Sequence, residues 1–201
     1  QVTPYGNSIP SRTQNITYNG LSRPSSITEN NNVATFTYNN QGNRLKMNVK
    51  NNGKDITNHY YFDNKYEIEI GTSATKEFLY LGGDAYSANA VYVRQGGTWS
   101  VHYLGRDYLG SITHIVNSSG NLIQELSYDA WGQLRNPENQ AVYANESEPT
   151  LFLGRGYTGH EHLSMFGLIN MNARLYDSAL GCFISPDPFV QAPDLSINFN
   201  R

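Results

Sequence analysis

Potential metal-ligand side chains are most concentrated at His160, Glu161 and His162. Alternate residues of a β-strand share one face, so two imidazoles at this spacing could bind the same metal ion. Two imidazoles do not complete a site, however, and the His-Glu-x-x-His spacing of zinc peptidases is absent. His102 and His114 are far away in the sequence. The run therefore indicates hydrogen bonds across a turn, and we expect no metal ion and no other cofactor.

Other residues with reactive or ligand-binding potential have less support from their surroundings. Cys182 is the only cysteine, which excludes an internal disulfide, and a catalytic thiolate would need a base and a positive environment beside it. The segments Gly82-Gly83-Asp84 and Gly96-Gly97 lack the Lys and the following helix of a phosphate-binding loop, and they predict hairpin turns. Trp99 and Trp131 could stack on sugar faces if they were exposed, although packing in the core is the commoner use of such rings.

The composition indicates short strands joined by tight turns. The 201 residues include 15 Tyr and many Asn, and 38% of the residues are apolar. Tyr favours pleated, half-buried surfaces, and Asn tolerates the left-handed backbone of turns. The net charge is −3 and the basic residues are scattered, so the basic patch of a nucleic-acid-binding protein is missing. No apolar run is long enough for a membrane-spanning helix. We therefore expect neither nucleic-acid binding nor membrane insertion.

A short corner motif recurs along the chain. In most copies an aromatic residue precedes Asp or Asn, a Gly follows one to four positions after that residue, and an apolar residue comes soon after. Copies lie at residues 18–27, 38–47, 107–112, 128–134 and 176–183, with a degenerate copy at 62–65, and adjacent copies are about 20 residues apart. We expect a structural role at these corners for Gly42, Asp107, Gly110, Tyr128, Asp129, Gly132, Tyr176, Asp177 and Gly181.

Each copy of the motif predicts the end of one strand, a turn and the start of the next strand. Asp or Asn begins the turn, and Gly supplies a positive φ angle. Between corners the apolar residues alternate, so Ala34, Phe36 and Tyr38 share a face, and residues 111–128 predict a hairpin with a polar turn at 117–120. A unit of about 20 residues cannot bury its own apolar face, so the units must combine into a continuous sheet. We predict an all-β fold in which antiparallel hairpin repeats form a curved or spiralling sheet with very little helix.

The character of the sequence changes near residues 136–149. This stretch is polar and contains proline, as is typical of loops, and the Gly-punctuated block at residues 151–201 after it indicates a cap on the repeats. The chain begins at Gln1 without Met or a targeting signal, which predicts that it is a piece of a longer polypeptide.

The second half of the chain contains specific motifs in a fixed order. They are Asp107-Tyr108-Leu109-Gly110-Ser111, Tyr128-Asp129-Ala130-Trp131-Gly132, Tyr157-Thr158-Gly159-His160-Glu161, Asn172-Ala173-Arg174-Leu175-Tyr176-Asp177 and Phe183-Ile184-Ser185-Pro186-Asp187-Pro188. Together they resemble the RHS repeat-associated core, with Tyr108 where that family usually has His, and the corner motif resembles YD repeats. The resemblance implies YD-type β-repeats at residues 1–99 and the capping core at residues 100–201.

The same resemblance implies a sheet that spirals into a hollow shell, which the core plugs at one end. In toxin-bearing members of the family the core cuts the chain downstream and releases a variable C-terminal payload. The cleaving residues of the family are an Arg and an Asp thirteen positions later, which match Arg174 and Asp187, together with an Asp at the cleavage site. A bidentate Arg can hold a carboxylate ionised, and an aspartyl dyad needs one carboxyl in each protonation state. The cleavage segment of the family, Asp-Pro-x-Gly-Leu, has no match before Arg201. A buried Arg–Asp pair that ties the core to the shell is therefore the favoured interpretation for these two residues.

Three functions remain open from the sequence. The first is a structural β-shell segment of a large bacterial cell-surface or secreted protein, which encloses or presents a variable C-terminal region. The second is an aspartyl autoprotease that releases that region, and the third is a module that binds cell-surface glycans or receptors. The expected partners are the protein's own C-terminal polypeptide and neighbouring repeats. Open strand edges also predict self-association.

Overall fold

Most of the described chain forms one large antiparallel sheet. The computed structural model describes residues 13–143 and 147–185. Within these residues, eleven successive strands pair in chain order, each with its neighbours in sequence. They are β1 (Asn15–Tyr18), β2 (Pro24–Glu29), β3 (Asn32–Tyr38), β4 (Arg44–Asn51), β5 (Lys54–Phe62), β6 (Tyr66–Gly71), β7 (Thr75–Leu81), β8 (Ala90–Gln95), β9 (Thr98–Arg106), β10 (Ile112–Asn117) and β11 (Leu122–Glu125).

The remaining strands form two smaller antiparallel sheets. The first is a two-stranded pair, and the second has four strands in chain order. Single 3₁₀ turns lie at Tyr157–Gly159 and Ser164–Phe166. The strands are β12 (Ser127–Tyr128), β13 (Leu134–Arg135), β14 (Glu161–Leu163), β15 (Leu168–Met171), β16 (Arg174–Asp177) and β17 (Cys182–Phe183). The prediction of an all-β fold built from antiparallel hairpins is confirmed.

The recurring corner has a common hydrogen-bond pattern that explains its residue types. In four copies, one side-chain oxygen of the first turn residue accepts hydrogen bonds from the backbone N–H groups two and four residues later, with Asn19, Asn39, Asp107 and Asp129 as the acceptors. In the last three of these copies the residue three positions after the acceptor is Gly42, Gly110 or Gly132, and its φ angle is +80°, +85° or +89°. An L-residue with a Cβ is strained in this backbone region, whereas Gly is not.

The last corner is one residue longer. The Asp177 carboxylate accepts hydrogen bonds from the backbone N–H groups of Ala179 and Leu180, and Gly181 follows with a φ angle of +66°. Tyr176, which precedes the corner, is buried and faces Tyr157. The same chemistry thus ends strand β16 with a slightly wider turn.

Alternation along the strands gives the large sheet one apolar face. Ala34 and Phe36 on β3 are buried and Tyr38 packs against them, while Thr35 and Thr37 are exposed, as the sequence predicts. The pairing of neighbouring strands continues this apolar face from one strand to the next. The alternation therefore creates an apolar surface that a second layer must cover.

Residues 151–185 supply that second layer. Leu163, Phe166, Leu168 and Leu175 pack in one apolar cluster with the inner side chains of β2–β5. Leu151 and Leu153, together with residues of β12 and β13, pack in another cluster with the inner side chains of β7–β10. We call residues 151–185 the inner segment and the eleven-stranded sheet the wall. The wall and the inner segment each contribute side chains to both apolar clusters.

Two further expectations can be placed on the fold. Strand β9 spans the expected domain boundary between residues 99 and 100 and pairs with β8 and β10 within the wall, so the division at that point stays a prediction. Within residues 13–143 and 147–185, no helix is long and apolar enough to cross a membrane.

Candidate functional site

A group of buried ionisable residues accompanies the two apolar clusters. Four of them belong to the wall or its cover and are almost fully enclosed: Glu67 on β6, His59 on β5, Arg155 in the loop before β14, and Glu161 at the start of β14. Arg44, the first residue of β4, completes the group. We call these five residues the ionic network. It lies where the wall meets the inner segment.

Glu67 and Arg155 form the most enclosed ion pair of the network. Their exposed fractions are 0% and 2%. Arg155 donates from Nη2 and Nε to the same carboxylate oxygen of Glu67, at 2.5 and 3.2 Å. Its Nη1 donates to the backbone carbonyl of Gly159 at 3.1 Å. The guanidinium therefore ties β6 of the wall to two points of the inner segment.

Glu161 is the second buried carboxylate of the network. Its side chain belongs to the inner segment, and its partners belong to the wall. Arg44 Nη2 lies 2.5 Å from one carboxylate oxygen, and the Tyr61 hydroxyl donates to the other at 2.7 Å. His59 lies between the two acids, with Nε2 3.1 Å from Glu67 and Nδ1 3.4 Å from Glu161.

The electrostatics hold both acids in the ionised form. Burial alone would raise the pKa of the Glu67 carboxyl, but Arg155 and His59 outweigh it and lower the pKa to about 2. Burial likewise opposes ionisation of Glu161, and Arg44, His59 and Arg155 together hold its pKa below the usual value. Because each carboxylate is already committed to cationic and hydrogen-bonding partners, the network is suited to holding two layers together.

Aromatic rings pack against the guanidinium groups of the two arginines in the network. The Arg44 guanidinium carbon lies 4.1 Å from the Tyr61 ring centre, and that of Arg155 lies 5.1 Å from the Tyr86 ring centre. His59 stacks on Tyr61 with ring centres 4.4 Å apart and planes 9° from parallel. Burial raises the pKa of Tyr61 well above its usual range, so its hydroxyl stays a donor to Glu161.

The His160–His162 run has hydrogen-bonding roles in the structure. His162 Nε2 accepts a hydrogen bond from the backbone N–H of Tyr157 at 3.0 Å, which requires that nitrogen to be unprotonated. Burial, helped by the neighbouring His160, lowers the pKa of His162 to about 4. His160 Nδ1 lies 2.8 Å from the Thr158 hydroxyl. No group of three or more His, Cys, Asp or Glu suited to a metal ion is found within the described ranges.

The corner at residues 128–134 contacts both the wall and the inner segment. The Tyr128 hydroxyl donates to the carbonyl of Ile112. A Cβ on Gly132 would lie 2.5 Å from the Tyr157 ring, and a Cβ on Gly181 would lie 3.1 Å from the Trp131 ring. Glycine is therefore needed at position 132 for close packing as well as for the turn, whereas at position 181 a Cβ would be a tight contact with Trp131.

The residues matched to the autoproteolytic site are only partly described. Arg174 begins β16, and its guanidinium lies 3.7 Å over the Phe183 ring. Beyond β17 the chain runs back along β16, since the Ile184 N–H donates to the Leu175 carbonyl. Asp187 lies outside the described residues. Cys182 is exposed.

Sequence reasoning did not single out most of the ionic network. Arg44, His59, Glu67 and Arg155 were not candidates, and Glu161 was considered only as a metal ligand. A usable signal for Arg155 is its position between Gly154 and Gly156, directly before the Tyr157–Glu161 motif. No comparable local signal marks Glu67, because its partner lies 88 residues away.

Comparison with known proteins gives a consistent result. Residues 85–196 match the family described as Teneurin YD-shell. The chain is 30% identical over 159 residues to the tRNA3(Ser)-specific nuclease WapA of Bacillus spizizenii, an alignment that covers 77% of this chain and 6% of that protein. The tRNA nuclease WapA of Bacillus subtilis (strain 168) matches with the same identity and the same coverage, 30%, 77% and 6%.

Solved structures of larger assemblies have the same fold. The crystal structure of TcdB2-TccC3-TEV superposes with a TM-score of 0.70 at 19% identity and covers 87% of this chain and 9% of that one. The crystal structure of TcdB2-TccC3 without its hypervariable C-terminal region superposes with a TM-score of 0.67 at 18% identity, again over 87% of this chain and 9% of the other. The chain thus spans less than a tenth of these relatives.

Proposed function

This chain belongs to the YD-shell family of RHS and YD-repeat proteins, and from that premise we propose that it helps to enclose a variable C-terminal polypeptide of the same protein. It is a segment of the family's structural β-shell. The observation that carries the proposal is the way residues 151–185 cover the inner face of the wall. They share both apolar clusters with it and bind it through the ionic network.

The physical argument concerns the inner face of the wall. A strip of hairpins with one apolar face is stable only where something covers that face. In this chain the cover comes from the same polypeptide. Up to Ser185 the described chain after the wall packs on the inner side of the wall. This path supports the proposal that a C-terminal region is enclosed.

Limited proteolysis of the full-length protein tests the enclosure. We expect the C-terminal region to resist a protease that cleaves the same region quickly when it is expressed alone. Arg155→Met, which removes one connection between wall and inner segment, should increase the cleavage rate. Arg94→Met, which removes an arginine paired with Glu77 in a partly exposed ion pair, is the matched control and should leave the rate unchanged. Rapid cleavage of the C-terminal region in the wild-type protein would contradict the proposal.

A second candidate function is autoproteolysis by Arg174 and Asp187. The β16–β17 hairpin favours it, since the chain from Phe183 to Ser185 returns along β16 toward Arg174. The intact mass of the full-length protein after purification tests it. Two fragments from the wild-type protein and one uncleaved chain from Asp187→Asn are expected. An uncleaved wild-type protein, or cleavage that persists in Asp187→Asn, would remove this candidate.

Exposed aromatic residues on the outer face favour glycan binding as a surface activity. Tyr92 and Trp99 are 40% and 43% exposed and meet edge to face, with ring centres 6.3 Å apart. Tyr103 on β9 is 50% exposed. Such rings can stack on sugar faces. A glycan array should show binding that Trp99→Ala abolishes, and an array without signal above background would exclude this activity.

We further propose a secreted or cell-surface location in a bacterium. The similarity to WapA proteins of Bacillus supports a bacterial source. Treatment of intact cells with an impermeant protease should degrade the full-length protein, whereas degradation only after lysis would place it inside the cell.

Strand pairing at the open edge of β1 is the remaining proposed interaction. This strand has a hydrogen-bonded neighbour on one side only among the described residues. Unpaired strand edges are templates for association with another chain. Light scattering of the 201-residue chain should give a dimer or larger species, and a monomer at every concentration would contradict this.

A further inference from the structure

A polar cavity of about 320 Å³ lies beside the ionic network, at the end of the wall where the β1–β2, β3–β4 and β5–β6 turns lie. Its lining comes from several consecutive turns. Arg23 and Asn43 follow the β1–β2 and β3–β4 turns, Asn64 lies in the β5–β6 turn, and Asn172 lies in the β15–β16 turn. The meander therefore brings residues far apart in sequence to one opening. Neither the family match nor the ionic network accounts for this cavity.

Three arginines face the cavity, and none of its lining residues is acidic. Arg23, Arg44 and Arg155 all contribute to the wall of the cavity. The carboxylates of Glu161 and Glu67 neutralise Arg44 and Arg155, but neither acid belongs to the lining. Arg23 forms no ion pair with a described residue. The lining therefore carries an excess of positive charge.

One donor at this site is buried without a partner. The Arg44 side chain is only 10% exposed, and its Nη1 is enclosed and makes no hydrogen bond to any residue of the described chain. A buried polar group without a partner is unfavourable, and such groups in folded proteins generally have a protein, water or ligand partner. Arg44 therefore brings to the cavity lining a guanidinium whose hydrogen-bonding capacity the described chain does not fill.

Two of the three guanidinium groups, those of Arg44 and Arg155, are held in place before any ligand arrives. The Arg44 guanidinium lies over the Tyr61 ring and that of Arg155 over the Tyr86 ring. Arg155 is fixed further by its hydrogen bonds to Glu67 and Gly159. Arg23 lies against Gly42, where a Cβ would come within 3.2 Å of its Nε and Nη2. The Tyr86 hydroxyl donates to the Asn172 side chain, and both residues line the cavity. Preorganised donors lose little entropy on binding.

We propose that this cavity binds a small oxyanion, which is a phosphate or carboxylate group of a free small molecule, through Arg23, Arg44 and Arg155. Guanidinium groups match both anions with paired N–H donors. Asn43 and Asn64 offer amide donors to the remaining oxygen atoms. The cavity is large enough for a compact ligand and too small for a folded partner.

Isothermal titration of the 201-residue chain with inorganic phosphate, and separately with citrate, tests this site at constant ionic strength. Binding of either probe supports the proposal, and the stronger of the two identifies the anion type. Arg23→Gln should weaken binding at least about tenfold, because a hydrogen bond to a charged group contributes that much or more. This variant removes no ion pair of the described fold, so it should unfold at the wild-type temperature.

Arg94→Gln is the matched control, since Arg94 lies on β8 outside the cavity and pairs with Glu77. It should bind phosphate and citrate as the wild type does. Absence of binding by both probes, or equal loss of affinity in Arg23→Gln and Arg94→Gln, would overturn the proposal. Binding that survives Arg23→Gln unchanged would also overturn it.

Discussion

Replacement of Arg155 by methionine should destabilise the protein more than any surface charge change. The substitution leaves Glu67, which is 0% exposed, without its cationic partner. Removal of one member of a buried ion pair costs about 3–5 kcal/mol of unfolding free energy. For a chain of this length 1 kcal/mol corresponds to about 2–4 °C, so the melting temperature should fall by about 6–20 °C.

The double variant Glu67→Gln/Arg155→Met separates the ion pair from simple packing. Glutamine keeps an acceptor for His59 and removes the unpaired charge. Buried ion pairs can often be replaced by neutral groups at small cost, so the double variant should recover at least about half of the lost stability. Urea unfolding of the wild type, both single variants and the double variant gives the coupling free energy directly.

The control for this cycle is the partly exposed pair of Arg94 and Glu77. Arg94→Met should change the unfolding free energy by about 1 kcal/mol or less. If Arg155→Met behaves like Arg94→Met, or if the losses of Glu67→Gln and Arg155→Met simply add in the double variant, then the ionic network does not connect wall and inner segment as argued.

Three further outcomes are expected. The pKa of His162 is lowered from 6.5 in the unfolded chain to about 4 in the folded one, so its contribution to stability is present above pH 6.5 and is lost as the pH falls toward 4, by up to about 3 kcal/mol. The unfolding free energy measured across this range should depend less on pH in His162→Gln than in the wild type, and the remaining dependence includes that of His160, whose pKa is also lowered to about 4. Gly132→Ala should lose more stability than Gly97→Ala, because both glycines have φ angles near +85° but only a Cβ at 132 meets a ring, that of Tyr157; the strain alone should cost about 1–2 kcal/mol, and equal losses would contradict the steric argument. Cys182 is exposed and should react with a thiol reagent in the folded protein, whereas labelling only after denaturation would contradict its placement.

The architecture of the wall was accessible from the sequence because its determinants are local. At each corner the acceptor, the glycine and the strand ends lie within about ten residues, so turn chemistry and alternation predict them together. The first copy shows the limit of this reasoning. The motif suggests Gly20 as the residue with positive φ, but the structure gives that role to Ser22, with a φ angle of +56°, at the position equivalent to Gly42.

The ionic network could not be predicted from the sequence, because its residues are far apart in the chain and do not follow the local hydrophobic pattern. In β6 the alternation of Ile68 and Ile70 with acids suggests that the isoleucines face the core, whereas the structure buries Glu67 and leaves Ile70 exposed. The burial of Glu67 is stable only because Arg155 of the inner segment pairs with it. A pattern over neighbouring residues contains no information about that partner.

Hydrogen exchange measured by mass spectrometry on the 201-residue chain tests most directly whether wall and inner segment form one core. If the shared clusters and the ionic network act as described, amides of β14–β16 should exchange with the same opening free energy as those of β5 and β6, and Arg155→Met should lower both by the same amount. Fast exchange of β14–β16 beside a protected wall would show that the inner segment is an independent, loosely attached unit, and would contradict the account.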